Sequence, residues 1–439
     1  MSKSQQSKKQ ALILPNSNNF NDSLKSLVSG LGTEKDKRMS GTYQFETIHH
    51  NELSAIYYSN GLGAKIVNIP VDDMTRRWRK YSSPSLSPEN LSLLSAQDEK
   101  LNTKGLFNEA QKWARLYGGA IIVMGIDGTG DHTEPLDIDR VTKDSLKYLH
   151  VFDRHEVSSC EINNSNPAAP NFRQPEYYIL PNQSDKIHYT RVLRFDGVKM
   201  PWRLRKMNSY RNASIYNSIY NDLRNCDTIK DSTATLVLEA KKDIVQIEGL
   251  KQMILAGQED KIIERFALAD LMKSNFNMLL LDGDESYQQV TNGFAGLQGL
   301  VQQYLNVLAS ISQIPATKLL GESAPGLNST GEEQTKMYYD YISALQKTEF
   351  TPSLTRLDEI LVRNLFGKPV EDLKSTWNSL WELSDTEKST IQKKNADRDS
   401  IYLSTNVVSV EEVRAELKEE ETYDNLQETA APAVTEEGS

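Results

Sequence analysis

Apolar and polar positions change rhythm twice along this chain. Residues 1–40 are rich in Ser, Asn, Gln and Lys with few aromatics, a composition that predicts a mobile arm. From Tyr43 to about Arg224 helical and strand patterns mix. Leu101, Leu106, Ala110 and Trp113 predict a helix over Ser95–Arg115, which Tyr117-Gly118-Gly119 ends. The run Ala120-Ile121-Ile122-Val123-Met124 has no polar alternation and reads as a strand buried on both faces. Tyr148–Phe152, Tyr177–Leu180 and Val192–Phe195 read as further short strands, and Asn163–Pro170 as a loop.

From Asn212 onward the period becomes helical. Ile215, Ile219 and Leu223 share one face, and Ile229, Thr233, Leu236, Val237, Ala240, Ile244 and Ile247 continue it. Phe276–Leu281, the turn Asp282-Gly283-Asp284 and Tyr287–Val290 predict a β-hairpin. A second helix carries Phe294, Leu297, Val301, Leu305, Leu308 and Ile311 and ends at Pro315. Residues 316–331, with Gly321, Pro325, Gly326 and Gly331, read as a loop, and Thr330-Gly-Glu-Glu333 as a capping box that starts a third helix. Thr351-Pro352 relaunches helix through Leu354, Leu357, Leu361 and Leu365 until Gly367. The fold class is therefore α+β: a mixed first half, then helix, hairpin excursion, helix, loop and long helix, with no repeat of fixed period.

Length and charge narrow this picture. The 439 residues allow two to four structural units. With 38% hydrophobic residues a core can form, while much of the chain must face water or partners. The net charge is −10, and Val410–Ser439 holds ten acids against two bases, so the body is nearly neutral. That is not the balance of a protein that grips nucleic acid through its phosphates, and the acidic end reads as a solvated tail. Cys160 and Cys226 form no disulfide framework, which fits synthesis in a reducing cytoplasm. No apolar run reaches a bilayer-spanning length, and the polar, basic start lacks the apolar region of a signal peptide, so no membrane association is expected.

Templates for chemistry fail one after another. Gly321 and Gly326 have P-loop spacing, but Leu327-Asn328 stands where Lys-Ser/Thr must reach the phosphates. The six histidines include no HExxH and no paired ligand spacing, and no GxSxG elbow occurs. No catalytic residue, metal site or cofactor is expected. His188-Tyr-Thr190 matches half of the paired HxT motif of two-histidine phosphoesterases, but no other histidine has Ser or Thr two residues on. Asp153-Arg154-His155-Glu156 reads as structural salt-bridging at a strand end. The densest basic patch, Arg76-Arg77-Trp78-Arg79-Lys80, leaves three readings open: contact with DNA, contact with another subunit, or a solvated helix end.

Four segments, in order, resemble the portal proteins of tailed bacteriophages: Tyr57–Arg76, Tyr117–Val123, His188-Tyr-Thr-Arg-Val-Leu-Arg-Phe-Asp-Gly197, and Ile314-Pro-Ala-Thr-Lys-Leu-Leu-Gly-Glu-Ser-Ala-Pro-Gly-Leu-Asn-Ser-Thr-Gly331. The resemblance covers roughly residues 45–365, and nothing in the last 70 residues carries it. It implies a homo-oligomeric ring, typically of about twelve subunits, at one capsid vertex. Such a ring passes double-stranded DNA non-specifically during packaging and ejection. Its implied partners are the major capsid and scaffold proteins, the terminase large subunit and then the tail adaptor. The implied layout is an arm at 1–40, a wing at 41–226, stem helices at 227–249 and 293–314, and a clip at 250–292. A tunnel loop at 315–331, a long tunnel helix at 332–366, a wing or crown part at 367–409 and the acidic tail at 410–439 follow.

In this layout Gln298, Gln302 and Gln303 would face the bore. Lys318, Glu322, Asn328 and Ser329 would lie near DNA, and Asp282, Gly283, Asp284 and Glu285 would dock the terminase. Two other classes remain as alternatives: a phage-encoded nuclease or two-histidine phosphoesterase, and another virion connector.

Overall fold

The computed structural model describes residues 47–180, 186–238, 241–246, 286–291, 296–321, 331–381, 385–405 and 407–419, together with residues 255, 257, 263, 264 and 267. The chain enters through α1 (His50–Ser59) and α2 (Gly61–Arg76). Asn60 starts α2 by accepting from the Leu62 and Gly63 amides, 3.0 Å each. Pro70 sits inside α2 and cannot donate to the Ile66 carbonyl. The Arg115 guanidinium donates to that carbonyl instead, at 3.0 Å, so the cost of an interior proline is offset by a neighbouring helix.

β1 (Arg79–Ser82), α3 (Pro88–Lys100) and α4 (Thr103–Tyr117) follow. The single helix expected over Ser95–Arg115 is thus two. Asn102, with φ +51°, turns the chain between them, a conformation that Asn tolerates better than most residues. Gly118, φ +88°, ends α4, and a Cβ there would lie 2.2 Å from the Asn212 carbonyl.

β2 (Gly119–Ile126) is buried at all eight positions. It is the middle strand of an antiparallel sheet with β3 (Leu146–Asp153) and β7 (Val192–Asp196), Ile122 lying opposite Val151 on one side and Leu193 on the other. A second antiparallel sheet joins β4 (Ser158–Ile162), β5 (Pro175–Ile179) and β6 (Lys186–His188). Ile121 and Val123 pack on Tyr178 and Ile187 of that sheet, while Ile122 and Met124 pack with Phe107, Ala110 and Ala114 of α4. Cover on both faces is why β2 shows no alternation.

After α5 (Trp202–Met207), α6 runs Tyr216–Leu238. β8 (Lys241–Gln246) pairs antiparallel with β9 (Ser286–Thr291), Ile244 opposite Gln288. Two expectations change here. The helix expected to run on to Ile247 stops at Leu238, and Tyr287–Val290 pairs with residues 241–246; Phe276–Leu281 lie outside the described residues. The pairing joins segments some forty residues apart, and a local helical period cannot register it.

α7 (Leu297–Ser312) returns along α6, and α8 (Ala316–Leu320) follows Pro315, filling the first part of the expected loop. α9 (Gly331–Leu345) passes through a π-helical turn, Gln346–Phe350, into α10 (Thr351–Phe366). Pro352 lacks the N–H that would return to Thr348, and the wider turn absorbs the missing bond. The expected break at 351 is therefore a continuous helical run that ends at Gly367, φ +68°. β10 (Lys374–Trp377) pairs with β1, Arg79 opposite Trp377, and α11 (Asp385–Ser404) and α12 (Val410–Glu419) complete the described chain.

The core has two main bodies. One gathers α4, the central sheet and α10 around Phe107, Phe195, Phe350, Leu357 and Leu361. The other gathers α1, α2, α6, α7 and α8 around Ile66, Val67, Tyr216, Ile219, Leu223, Leu308 and Leu319. No helix among the described residues is long and apolar enough to cross a membrane.

Candidate functional site

α8 and α9 flank residues 322–330, which lie outside the described residues, and both helices are fastened to α2. Lys318 Nζ lies 2.6 Å from Asp73 Oδ2, and the Tyr338 hydroxyl donates to the same oxygen at 2.9 Å. The ammonium also sits 4.6 Å from the Tyr339 ring centre and 5.1 Å from that of Tyr338. Lys65 Nζ donates to the Leu319 carbonyl at 2.9 Å, a cation at the C-terminal end of α8. Burial, and then the Asp73 carboxylate, hold the Tyr338 phenol well above its ordinary pKa. One acid thus ties the helices before and after that segment to α2.

Lys318, assigned to the neighbourhood of DNA, is engaged within the chain. Glu322, Asn328 and Ser329 lie outside the described residues. Lys318→Ala is expected to leave the Asp73 carboxylate with one partner and to cost roughly 1–3 kcal/mol, read as a lower midpoint in chemical unfolding. Lys318→Arg should retain most of the stability, and equal midpoints for wild type and Lys318→Ala would refute the clasp.

The basic patch turns inward by the alternation of a strand. Arg79 faces the interior and Lys80 is exposed. The Arg79 guanidinium makes a 2.5 Å bond to Asp358 Oδ2, reaches Asp98 Oδ1 at 3.3 Å, and donates to the Tyr81 hydroxyl and to Ser375 Oγ. The Tyr81 hydroxyl donates on to Asp358 Oδ1 at 3.2 Å, and Trp78 Nε1 donates to Asp98 Oδ2 at 2.8 Å. Burial opposes the charge on Arg79, but Asp358, Tyr81 and Asp98 outweigh it and raise its pKa. Burial raises Asp358 as well, against the pull of Arg79. Arg76 donates to the Leu380 carbonyl at 2.6 Å and lies 4.9 Å from the Tyr339 ring centre. Arg77 is half-buried. Arg79 is thus the hub of a buried intramolecular cluster, while Arg76 and Lys80 keep an exposed surface.

α7 shows three faces. Leu308, Ala309 and Ser312 are buried against the rest of the chain, and the Tyr304 carbonyl accepts from the Cys226 thiol of α6 at 3.5 Å. Leu300, Val307 and Ile311 are exposed by 45, 47 and 40%. Gln303, Asn306, Ser310 and Gln313 are exposed as well. At about 100° per residue, the three apolar side chains form one stripe and the four uncharged polar ones another, each roughly a third of a turn from the buried face. Of the glutamines assigned to the bore, Gln303 lies on the polar stripe, Gln302 is half-buried and bonds Asn306 at 3.2 Å, and Gln298 lies off the stripe.

The lone HxT is engaged structurally. His188 is buried, its Nδ1 2.8 Å from Thr190 Oγ1, and the same oxygen accepts from the Leu136 amide at 2.6 Å. The pair caps a short turn after β6. Asp282, Gly283, Asp284 and Glu285 lie outside the described residues.

Sequence reasoning missed Asp73, Asp98, Asp358 and Tyr338, which build the two polar clusters. A signal existed. Asp73 shares the apolar face of α2 with Val67, Pro70 and Met74, and Asp358 lies between Leu354, Leu357 and Leu361 on α10. An acid on a buried helical face requires a partner.

The anti-CBASS protein Acb1 of Caulobacter sp. (strain RHG1) is 36% identical over 390 residues, 86% of this chain. This chain spans only 62% of the length of that relative, so more than a third of it lies beyond the match. An uncharacterized protein of Haemophilus influenzae is 28% identical over 93% of this chain and 92% of its own length. The neck of a native GTA particle, among solved structures, aligns over 87% of this chain and 96% of that one, at 14% identity and a TM-score of 0.47. The family model described as phage portal protein matches residues 51–401, most of the chain, and with that match the chain belongs to the phage portal protein family.

Proposed function

We propose that this chain is the repeating subunit of a closed ring at one capsid vertex, the conduit through which viral DNA is packed and later released. The observation that carries the proposal is the three-faced helix α7. A helix in a small monomer needs a buried face and a wet one. A stem helix in a ring needs a third, apolar and exposed, for the next subunit, because a cyclic interface joins two different surfaces of the same chain. Leu300, Val307 and Ile311 supply it. The remaining stripe, Gln303, Asn306, Ser310 and Gln313, faces the bore. It carries no charge, and this suits a wall along which DNA must slide, since each phosphate neutralised by a cation adds affinity and several together would hold the duplex.

The rest of the layout follows from α6 and α7 as stem helices. β8 and β9 close the base of the excursion between them, and residues 250–292 form the clip that docks the terminase large subunit and afterwards the tail adaptor. Residues 41–226 form the wing, with major capsid and scaffold proteins around it. The loop of 315–331 reaches toward DNA from a root fixed by Asp73, with the helix of 332–366 above it. Residues 367–409 join the wing or crown, and the acidic tail follows. The name of the Caulobacter relative describes a different function, in a protein of which this chain spans 62%.

Deletion of Asp282–Glu285 tests the docking role. Purified variant rings should match wild type in micrographs, while DNase-protected DNA in particles carrying the variant should fall to background. Normal packaging by the variant would refute the docking role.

A further inference from the structure

We propose that the groove between α10 and residues 369–377 is the seat of the chain's own amino-terminal segment, Lys8–Pro15. The groove has a volume of about 620 Å³. Its floor is apolar, built from Ile138, Leu354, Val362, Val370, Leu373 and Trp377. Its rim carries the carboxylates of Asp139, Glu359 and Glu371, with one cation, Arg363, which lies 3.2 Å from Asp139. The fourth acid at the groove, Asp358, is turned to Arg79. An apolar trough with a net negative rim fits a short aliphatic run preceded by positive charge, and it disfavours an acidic chain.

Residues 1–15 and 420–439 differ in that respect. Residues 420–439 hold six acids and no base. Residues 1–15 hold Lys3, Lys8 and Lys9 and no acid, and Ala11-Leu12-Ile13-Leu14 follows the two adjacent lysines directly. Leu12, Ile13 and Leu14 match the floor, and Lys8 and Lys9 match Glu359 and Glu371. Length sets no limit, because the 32 residues from Pro15 to residue 47 can span on the order of 100 Å when extended. The seat depends only on the shape and charge of this groove and this segment, so it stands or falls independently of the ring.

The test uses the full chain. Ile13→Cys with Thr355→Cys, Thr355 being an exposed position in the groove, is oxidised gently, and the joined peptides are quantified by mass spectrometry. Ser29→Cys and Ala433→Cys, each with Thr355→Cys, report chance encounter of the arm and of the tail. The 13–355 disulfide should exceed both by at least about tenfold, as a docked segment has a far higher effective concentration than a loose one. Lys8→Glu with Lys9→Glu should bring it down to the level of the controls, and adding Glu359→Lys with Glu371→Lys should restore it. Equal yields for positions 13, 29 and 433, preferential capture of 433, or indifference to charge reversal would each overturn the proposal. Should the cysteine variants fold poorly, hydrogen exchange on the unmodified protein decides: amides of residues 11–14 protected supports the seat, and exchange at the free-chain rate overturns it.

Discussion

Arg79→Met should lower the free energy of unfolding by roughly 3–5 kcal/mol, the range seen when one partner of a buried ion pair is removed. The side chains of Arg79, Asp98 and Asp358 are exposed by only 0, 6 and 9%. Taking the guanidinium away leaves two carboxylates facing one another, out of water, with Trp78 and Tyr81 as their hydrogen-bond donors. The loss also reaches the tertiary frame, because the three charged residues hold β1, α3 and α10 together. Arg79→Lys should recover little, since one ammonium cannot address both acids with the geometry of a guanidinium. Arg79→Met combined with Asp358→Leu should recover a large part, as apolar replacement of both partners often does.

The pH dependence has a definite sign. Burial already raises the Asp358 carboxyl, and Arg79→Met removes the cation that pulls it down, so its penalty is full at neutral pH. It shrinks as pH falls through the raised folded value and Asp358 takes up a proton. The gap between variant and wild type should therefore narrow on acidification. Guanidinium unfolding followed by tryptophan fluorescence, at neutral and mildly acid pH, reads this. A change within about 0.5 kcal/mol, the size of an ordinary surface substitution, would mean that the cluster does not hold the frame.

The second large effect concerns assembly. Val307→Glu with Ile311→Glu should leave a folded protein that forms no ring. Both side chains are nearly half exposed in the single chain, so the fold tolerates the change. In a ring the same positions are covered by the next copy, and each carboxylate must be desolvated in an apolar contact. A loss of at least about 2 kcal/mol per contact, the level of an interface hot spot, recurs at every junction. Ser310→Glu with Gln313→Glu, on the adjacent stripe, should spare the ring and weaken passage of DNA. If both double variants assembled alike, the assignment of the two stripes would be wrong.

Much of the frame was legible in the sequence, and the exceptions have a common cause. Ala120–Met124 announced a doubly covered strand, and Leu354, Leu357 and Leu361 announced the buried face of α10, because period and composition are local. The turn at Asn102 was missed since the apolar period runs across it and Asn reaches a positive φ without glycine's signature. The pairing of β8 with β9 was missed because Ile244 and Ile247 also satisfy a helical period, and the partner that decides between the two lies far along the chain. The same holds for chemistry. Arg79 read as a surface cation because its acids stand at 98 and 358, and Lys318 read as a DNA-facing cation because Asp73 stands 245 residues away. Residue types suggested surface charge, while tertiary partners buried Arg79 and gave the half-buried Lys318 an acid within the chain.

Mass photometry with negative-stain electron microscopy of the purified protein tests the ring most directly. A ring subunit gives closed rings of about twelve copies with a central hole, and those rings are lost in Val307→Glu with Ile311→Glu. A single species at the 49.6 kDa mass of one chain, across the concentrations used for microscopy, would contradict it.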